Sequence, residues 1–135
     1  MKKISLLTKL MFHISNIGLI LIYIYPGSIL GWLFYRNIKK QPQISSDFEI
    51  FSLNHFYAFM FLSFLGIIAY HKSKYKILFS YLFATSILFE LCHIVIPERS
   101  FQLHDLTGNF LGVFFIFIIF NIYNFLRKNN YDKKL

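Results

Sequence analysis

The sequence predicts an all-α membrane protein, a four-transmembrane-helix bundle with both termini in the cytoplasm. Three observations predict it. Of the 135 residues, 56% are hydrophobic and 15% charged, where a soluble domain carries about 25% charged residues. The apolar residues fall into four stretches, each close to the roughly 20 residues that a helix needs to cross the hydrocarbon core. The cations behind the net charge of +8 lie between and beside those stretches, so they do not read as a nucleic-acid footprint. The composition also excludes a disordered segment, a disulfide-built secreted module and most small soluble enzymes.

Residues 1–10 read as a cytoplasmic tail carrying Lys2, Lys3 and Lys9. Residues 11–34, Met11 to Phe34, read as the first transmembrane helix. Met1-Lys2-Lys3 would also suit a signal peptide, but no small-x-small cleavage site follows it. A retained helix, kinked near Pro26, is therefore expected. Residues 35–50 read as an outer loop, in which Gln41-Pro42-Gln43 opposes any helix. Residues 51–126 read as a three-helix core: Phe51–Tyr70, then Ile77–Ile96 with Glu90 inside it, then Leu106–Leu126. Phe56 to Ile68 and Phe110 to Phe120 show almost no polar face, which marks helices facing lipid rather than water. The many phenylalanines are expected to face lipid, and Tyr23, Tyr25, Trp32 and Tyr35 to anchor at the interface. Residues 127–135 read as a basic cytoplasmic tail, too polar to pack. Cys92 is the single cysteine, so no internal disulfide is available, and it reads as a packing residue.

Charge sets the orientation. Lys2, Lys3, Lys9, Lys72, Lys74, Lys76, Arg127, Lys128, Lys133 and Lys134 fall on one side, and Arg36, Lys39, Lys40 and Arg99 on the other. Cations are retained in the cytoplasm, where they also meet anionic lipid, so both termini are placed inside.

In that topology the unusual polar residues share the outer interface. His55 opens the second helix, and Glu90 lies seven residues before Pro97, about 10 Å below the end of the third. Arg99 and Asp105 lie in the following connection, and Asn109 in the first turn of the fourth helix. Ser86, Glu90, His93 and Pro97 share one helix face, and Asp105, Asn109 and Gly112 another. Gly108 and Gly112 allow close backbone approach. A compact bundle would gather His55, Glu90, His93, Arg99, Asp105 and Asn109 around one outward-opening cleft. No comparable set is read in the cytoplasmic half. A buried Glu90 needs a partner, for which Arg99 and His55 are the candidates. Arg99 suits a phosphate or carboxylate, and Asp105 is expected to cap the fourth helix. The histidines and acids include ligand types for zinc, but no short His-x-x-x-His pair is present, so neither a metal nor a cofactor is assigned. No triad or phosphate-cradling glycine loop is specified.

At these residues the chain resembles the VanZ-like family of small bacterial membrane proteins. Asn54-His55-Phe56-Tyr57-Ala58-Phe59-Met60-Phe61-Leu62 is similar to the family's His-Phe-x-x-Phe-x-x-Leu opening. Glu90-Leu91-Cys92-His93, Pro97-Glu98-Arg99 and Asp105 through Asn109 to Gly112 resemble its Glu-x-x-Gln, Pro-x-Arg and Asp-x-x-x-Asn-x-x-Gly elements. The resemblance covers residues 50–126. His93 stands where the family commonly has Gln, Glu98 where it has Gly, and Ile116 where it has a second small residue. The resemblance implies a multi-pass protein of the bacterial inner membrane. It does not carry over the teicoplanin resistance for which the family is named.

Two classes of function follow, with a third beside them. The first is a non-enzymatic cell-envelope factor whose outer cleft binds a lipid headgroup or a lipid-linked glycan or peptidoglycan component. The second is an outer-leaflet transferase or hydrolase on a lipid-linked substrate, with Glu90 and His55 or His93 as acid and base. The third is a small assembly subunit that stabilises a membrane-protein partner. The absence of a specified nucleophile favours the first.

Overall fold

In a chain this apolar, the breaks rather than the helical propensities decide where each element ends. The computed structural model describes residues 2–44, 46–70 and 74–132. Lys72, Lys133 and Lys134 of the predicted cytoplasmic cations lie outside the described residues.

The first break is at Pro26. Proline has no N–H and steers the residue before it out of helical geometry. Gly27 follows at φ 77, a left-handed conformation that costs glycine little. Helix α1 therefore runs Lys2–Ile24. Ser28 then caps a new short helix, α2 (Ile29–Tyr35), accepting from Gly31 N–H at 2.9 Å. The expected single helix from Met11 to Phe34 is thus corrected at both ends. It starts at Lys2, within the expected tail, and it ends rather than kinks at Pro26. Arg36 closes α2 in the left-handed region, at φ 53. Its guanidinium lies 5.0 Å from the centre of the Trp32 ring, and the Lys40 ammonium 4.1 Å from that of Tyr35. Both rings are exposed, as in the aromatic-cationic belt of a membrane interface.

The remaining helices are α3 (Leu53–Tyr70), α4 (Tyr75–Cys92) and α5 (Leu103–Asp132). Helix α4 stops short of the expected Ile96. Before Pro97 the chain tightens, with His93 N–H bonding Glu90 C=O and Ile94 N–H bonding Leu91 C=O, both at 3.1 Å. The backbone of the basic tail is helical as far as Asp132. At 30 residues, α5 is about 45 Å long and outreaches the hydrocarbon core.

Leu6–Ile24, Leu53–Tyr70, Tyr75–Cys92 and Leu103–Asn129 are each long and apolar enough to cross a membrane. With no strand among the described residues, the protein is an all-α, multi-pass integral membrane protein. Helix α3 is the hub, packed against α1, α4 and α5. Phe12, Tyr23, Phe59, Leu82, Phe89, Val113 and Phe120 are among the side chains that fill the centre. This corrects the expectation that the phenylalanines are lipid-facing. Phe61, Phe64 and Phe125 do face outward, but Phe59, Phe79, Phe89 and Phe120 build the core. Phe79 meets Phe117 edge to face at 4.9 Å.

The closest helix pair is α3 with α5. A Cβ on Gly112 would collide with Phe56 C=O and lie 2.9 Å from Met60 N. One on Gly108 would lie 2.5 Å from Ser52 C=O. These glycines, one turn apart, let two parallel helices touch through their backbones. That contact brings the first turn of α3 beside the first turn of α5. Helices α1 and α4 finish at the same end, where α2 lies, so this is called the α2 end below.

Candidate functional site

The polar residues read from the sequence meet at the α2 end, around Tyr23, which was expected to be an interfacial anchor and is instead buried. Tyr23, in the last turn of α1, is only 6% exposed. Its ring stacks on His93 with 5.7 Å between centroids and meets His55 edge to face at 5.4 Å. Its hydroxyl donates to Asn109 Oδ1 at 2.5 Å and lies 3.0 Å from His55 Nδ1. His55 Nδ1 is also 3.1 Å from Asn109 Oδ1, and Asn109 Nδ2 donates to Ser86 C=O at 3.3 Å. The tautomer follows from this network. Tyr23 gives its proton to Asn109, so its oxygen can only accept. Asn109 Oδ1 can only accept as well. His55 therefore carries its proton on Nδ1.

His55 Nε2 then faces Asp105, 3.6 Å from Oδ2. Asp105 does not cap α5 as expected. Helix α5 begins at Leu103, which puts Asp105 in its first turn, where the free N–H groups favour an acid. The Ser52 hydroxyl hydrogen-bonds this carboxylate.

Glu90 is completely buried, and its partner is neither Arg99 nor His55. Oε1 accepts from Gln102 N–H at 2.9 Å, which ties α4 to the start of α5. Oε2 lies 3.3 Å from His93 Nδ1, within ion-pair distance. The alignment is too poor for a hydrogen bond, so Oε2 has no hydrogen-bonded partner. His93 uses its other nitrogen, Nε2, to donate to Tyr23 C=O at 3.2 Å.

Arg99 is half-buried and points at the end of α1. It donates to Ile22 C=O at 2.9 Å and to Tyr25 C=O at 3.4 Å. Its position at this negative end of the helix is favourable. Burial pulls its pKa below the usual arginine value, while Tyr23, Glu90 and Asp105 oppose that shift. It remains a cation at physiological pH. Arg99→Gln is expected to lower stability by about 1–2 kcal/mol, measured as an earlier unfolding midpoint in detergent micelles.

Beside this cluster is a cavity of about 420 Å³ between the second half of α1, α2 and the start of α3. Leu19, Ile22 and Phe34 give it apolar walls, and His55, His93 and Arg99 a polar one. The loop before α3 lines it with Gln41, Pro42 and Ile44. Asn54 fixes this loop by accepting from Ile44 N–H at 2.9 Å and donating to Pro42 C=O at 2.8 Å. His104, which precedes Asp105, donates from Nε2 to Phe48 C=O at 2.7 Å and holds the same loop.

The other half of the bundle is not bare, which corrects the expectation of a single polar end. His13 bonds the Tyr70 hydroxyl at 2.7 Å, and Asn16 exchanges two hydrogen bonds with the Tyr81 hydroxyl at 2.7 and 2.9 Å. These groups line a second cavity of about 390 Å³ between α1 and α4.

Comparison with protein-family models, curated proteins and solved structures finds no match to this chain.

Proposed function

We propose that the protein is a non-enzymatic cell-envelope factor of the bacterial inner membrane. In this reading the α2 end faces outward, and its cavity binds a lipid headgroup or a lipid-linked glycan or peptidoglycan component. The observation that carries it is the composition of that cavity. It combines apolar walls from α1 and α2 with a polar wall of His55, His93 and Arg99, and an amphiphile with an anionic head needs both. The excess of lysine at the opposite end supports the orientation. The motif residues His55, Glu90, Arg99, Asp105 and Asn109 support the likeness to VanZ-like proteins.

The enzymatic alternative draws on the 3.3 Å approach of Glu90 to His93. The hydrogen bonding weighs against it. His93 holds Tyr23 C=O and faces Glu90, and His55 is held by Asn109 and faces Asp105. Each ring has one nitrogen hydrogen-bonded and turns the other toward a carboxylate of the protein, which weighs against proton transfer to a substrate. The assembly-subunit reading wanted an exposed groove of small residues, and Gly108 and Gly112 instead face α3 inside the bundle.

Ala58 lines the cavity and is partly exposed to it. Ala58→Phe is expected to fill the space and to remove at least nine-tenths of the lipid that survives detergent exchange, read by mass spectrometry. The unfolding midpoint should stay near that of the wild type. Undiminished lipid in a folded Ala58→Phe protein would overturn this function.

A further inference from the structure

We propose that His55, Glu90 and Asp105 bind one divalent cation, of the borderline class to which Zn²⁺ and Fe²⁺ belong. One ligand atom from each residue lies within 4.8 Å of the other two. The ligands of a cation held at about 2.0–2.2 Å lie roughly 3.3–3.6 Å apart in tetrahedral geometry. His55 Nε2 and Asp105 Oδ2, at 3.6 Å, are already near such an edge, and the Glu90 oxygen, within 4.8 Å of both, has to draw in by about 1 Å to complete the set.

The second observation is the orphan oxygen. Glu90 is 0% exposed, and its Oε2 has no hydrogen-bonded partner, although such an atom ordinarily finds one. The third is the orientation of each ligand by its remaining atoms. His55 Nδ1–H is held by Asn109 and Tyr23, which directs the Nε2 lone pair toward the carboxylates. Gln102 N–H holds Glu90 Oε1, and Ser52 holds Asp105. An imidazole oriented through its second nitrogen is the usual outer shell of a metal site.

Charge points the same way. Two carboxylates and a lone pair converge in a buried place, and such a place needs a cation. The donors of Arg99 that bond carbonyls are directed at the end of α1 instead. A proton on His55 Nε2 would serve Asp105 and still leave Glu90 Oε2 without a hydrogen bond, with only the poorly aligned His93 Nδ1 at 3.3 Å beside it. One imidazole with two carboxylates, and no thiolate, suits Zn²⁺, Mn²⁺ or Fe²⁺ better than Cu⁺. Three protein ligands leave room for water or an anionic oxygen. The site stands independently of the function proposed above.

The test uses the full chain in detergent, stripped with chelator and titrated with Zn²⁺, with bound metal counted after gel filtration. One equivalent per chain is expected. His55→Gln and Asp105→Asn should each weaken binding at least tenfold, while His13→Gln, at the opposite half, should leave it unchanged. If those variants fail to fold, X-ray absorption of the zinc-loaded wild type decides, with a first shell of imidazole and carboxylate expected. Absence of stoichiometric zinc overturns the proposal. So does binding that is unaffected in folded His55→Gln and Asp105→Asn, or a first shell without imidazole. Lipid retention in the same samples separates the two readings. Metal binding without retained lipid defeats only the proposed function, and retained lipid without metal defeats only this inference.

Discussion

Replacing Asn109 with leucine is expected to destabilise the protein by about 2–4 kcal/mol, the largest effect of any single polar-to-apolar change at the α2 end. The side chain is fully buried and leucine shares its branching, so the substitution opens no cavity. Asn109 accepts from Tyr23 and His55 and donates to Ser86 C=O. Leucine leaves the buried Tyr23 O–H without an acceptor, at about 1–3 kcal/mol, takes from His55 Nδ1–H one of its two acceptors and removes the donor to Ser86 C=O. Hydrogen bonds between membrane helices are often worth less, averaging about 0.6 kcal/mol, which favours the lower half of the range. The unfolding midpoint in mixed micelles measures it. Coupling provides a sharper readout. Tyr23→Phe removes the stranded hydroxyl, so Asn109→Leu with Tyr23→Phe should cost about 0.5–2 kcal/mol less than the sum of the single changes. Strict additivity would mean that the tyrosine and the asparagine act separately.

Asn109 was legible in the sequence, whereas Tyr23 was not, for a physical reason. A polar amide inside an apolar helix has few explanations, and the spacing from Asp105 to Asn109 to Gly112 places it on a defined face. Tyrosine at the end of a membrane helix reads as an interfacial anchor. What makes Tyr23 different is a partner 86 residues away, which no local pattern reveals. The pattern that could have exposed it is the spacing Phe12, Leu19, Tyr23, one stripe of α1, but the opposite stripe is equally apolar and offers no contrast. His13 and Asn16 were passed over for a related reason. Their partners Tyr70 and Tyr81 are counted among the hydrophobic residues of the composition, although their hydroxyls are the groups that bond.

The pairing of charges was the least legible part. The sequence offers Glu90 a histidine and an arginine at suitable depth. The structure gives Oε1 to a backbone N–H and puts His93 beside Oε2. Arg99 goes to the carbonyls at the end of α1. In both cases backbone groups freed at a helix end compete for the side chain. Those ends depend on where Pro26 and Pro97 stop α1 and α4. The sequence located both prolines, but a kink and a termination differ only in whether the chain restarts beyond the break. Here Gly27 turns and Ser28 caps a new helix, so α1 leaves free carbonyls for Arg99 to meet.

The second large effect is expected at Gly112, where α3 and α5 touch. Gly112→Leu should cost more than about 3 kcal/mol, and Gly112→Ala about 1–3 kcal/mol, the range for overpacking a filled interior. A single Cβ there meets backbone, Phe56 C=O and Met60 N, rather than a flexible side-chain tip. The helices can accept it only by separating. His55 rides on α3, and Asp105 and Asn109 on α5, so separation would also open the 3.6 Å and 3.1 Å contacts that join them. Lipid retention at the α2 end should therefore fall together with stability. Gly18 is the matched control. It lies inside α1, and a Cβ there would have nothing within 4 Å. Gly18→Ala should be neutral or stabilising by up to about 1 kcal/mol, because alanine is the better helix former. Opposite signs for the same chemical change at two helical glycines would assign the Gly112 effect to close approach. A loss at both positions would assign it instead to something glycine supplies wherever it occurs in these helices.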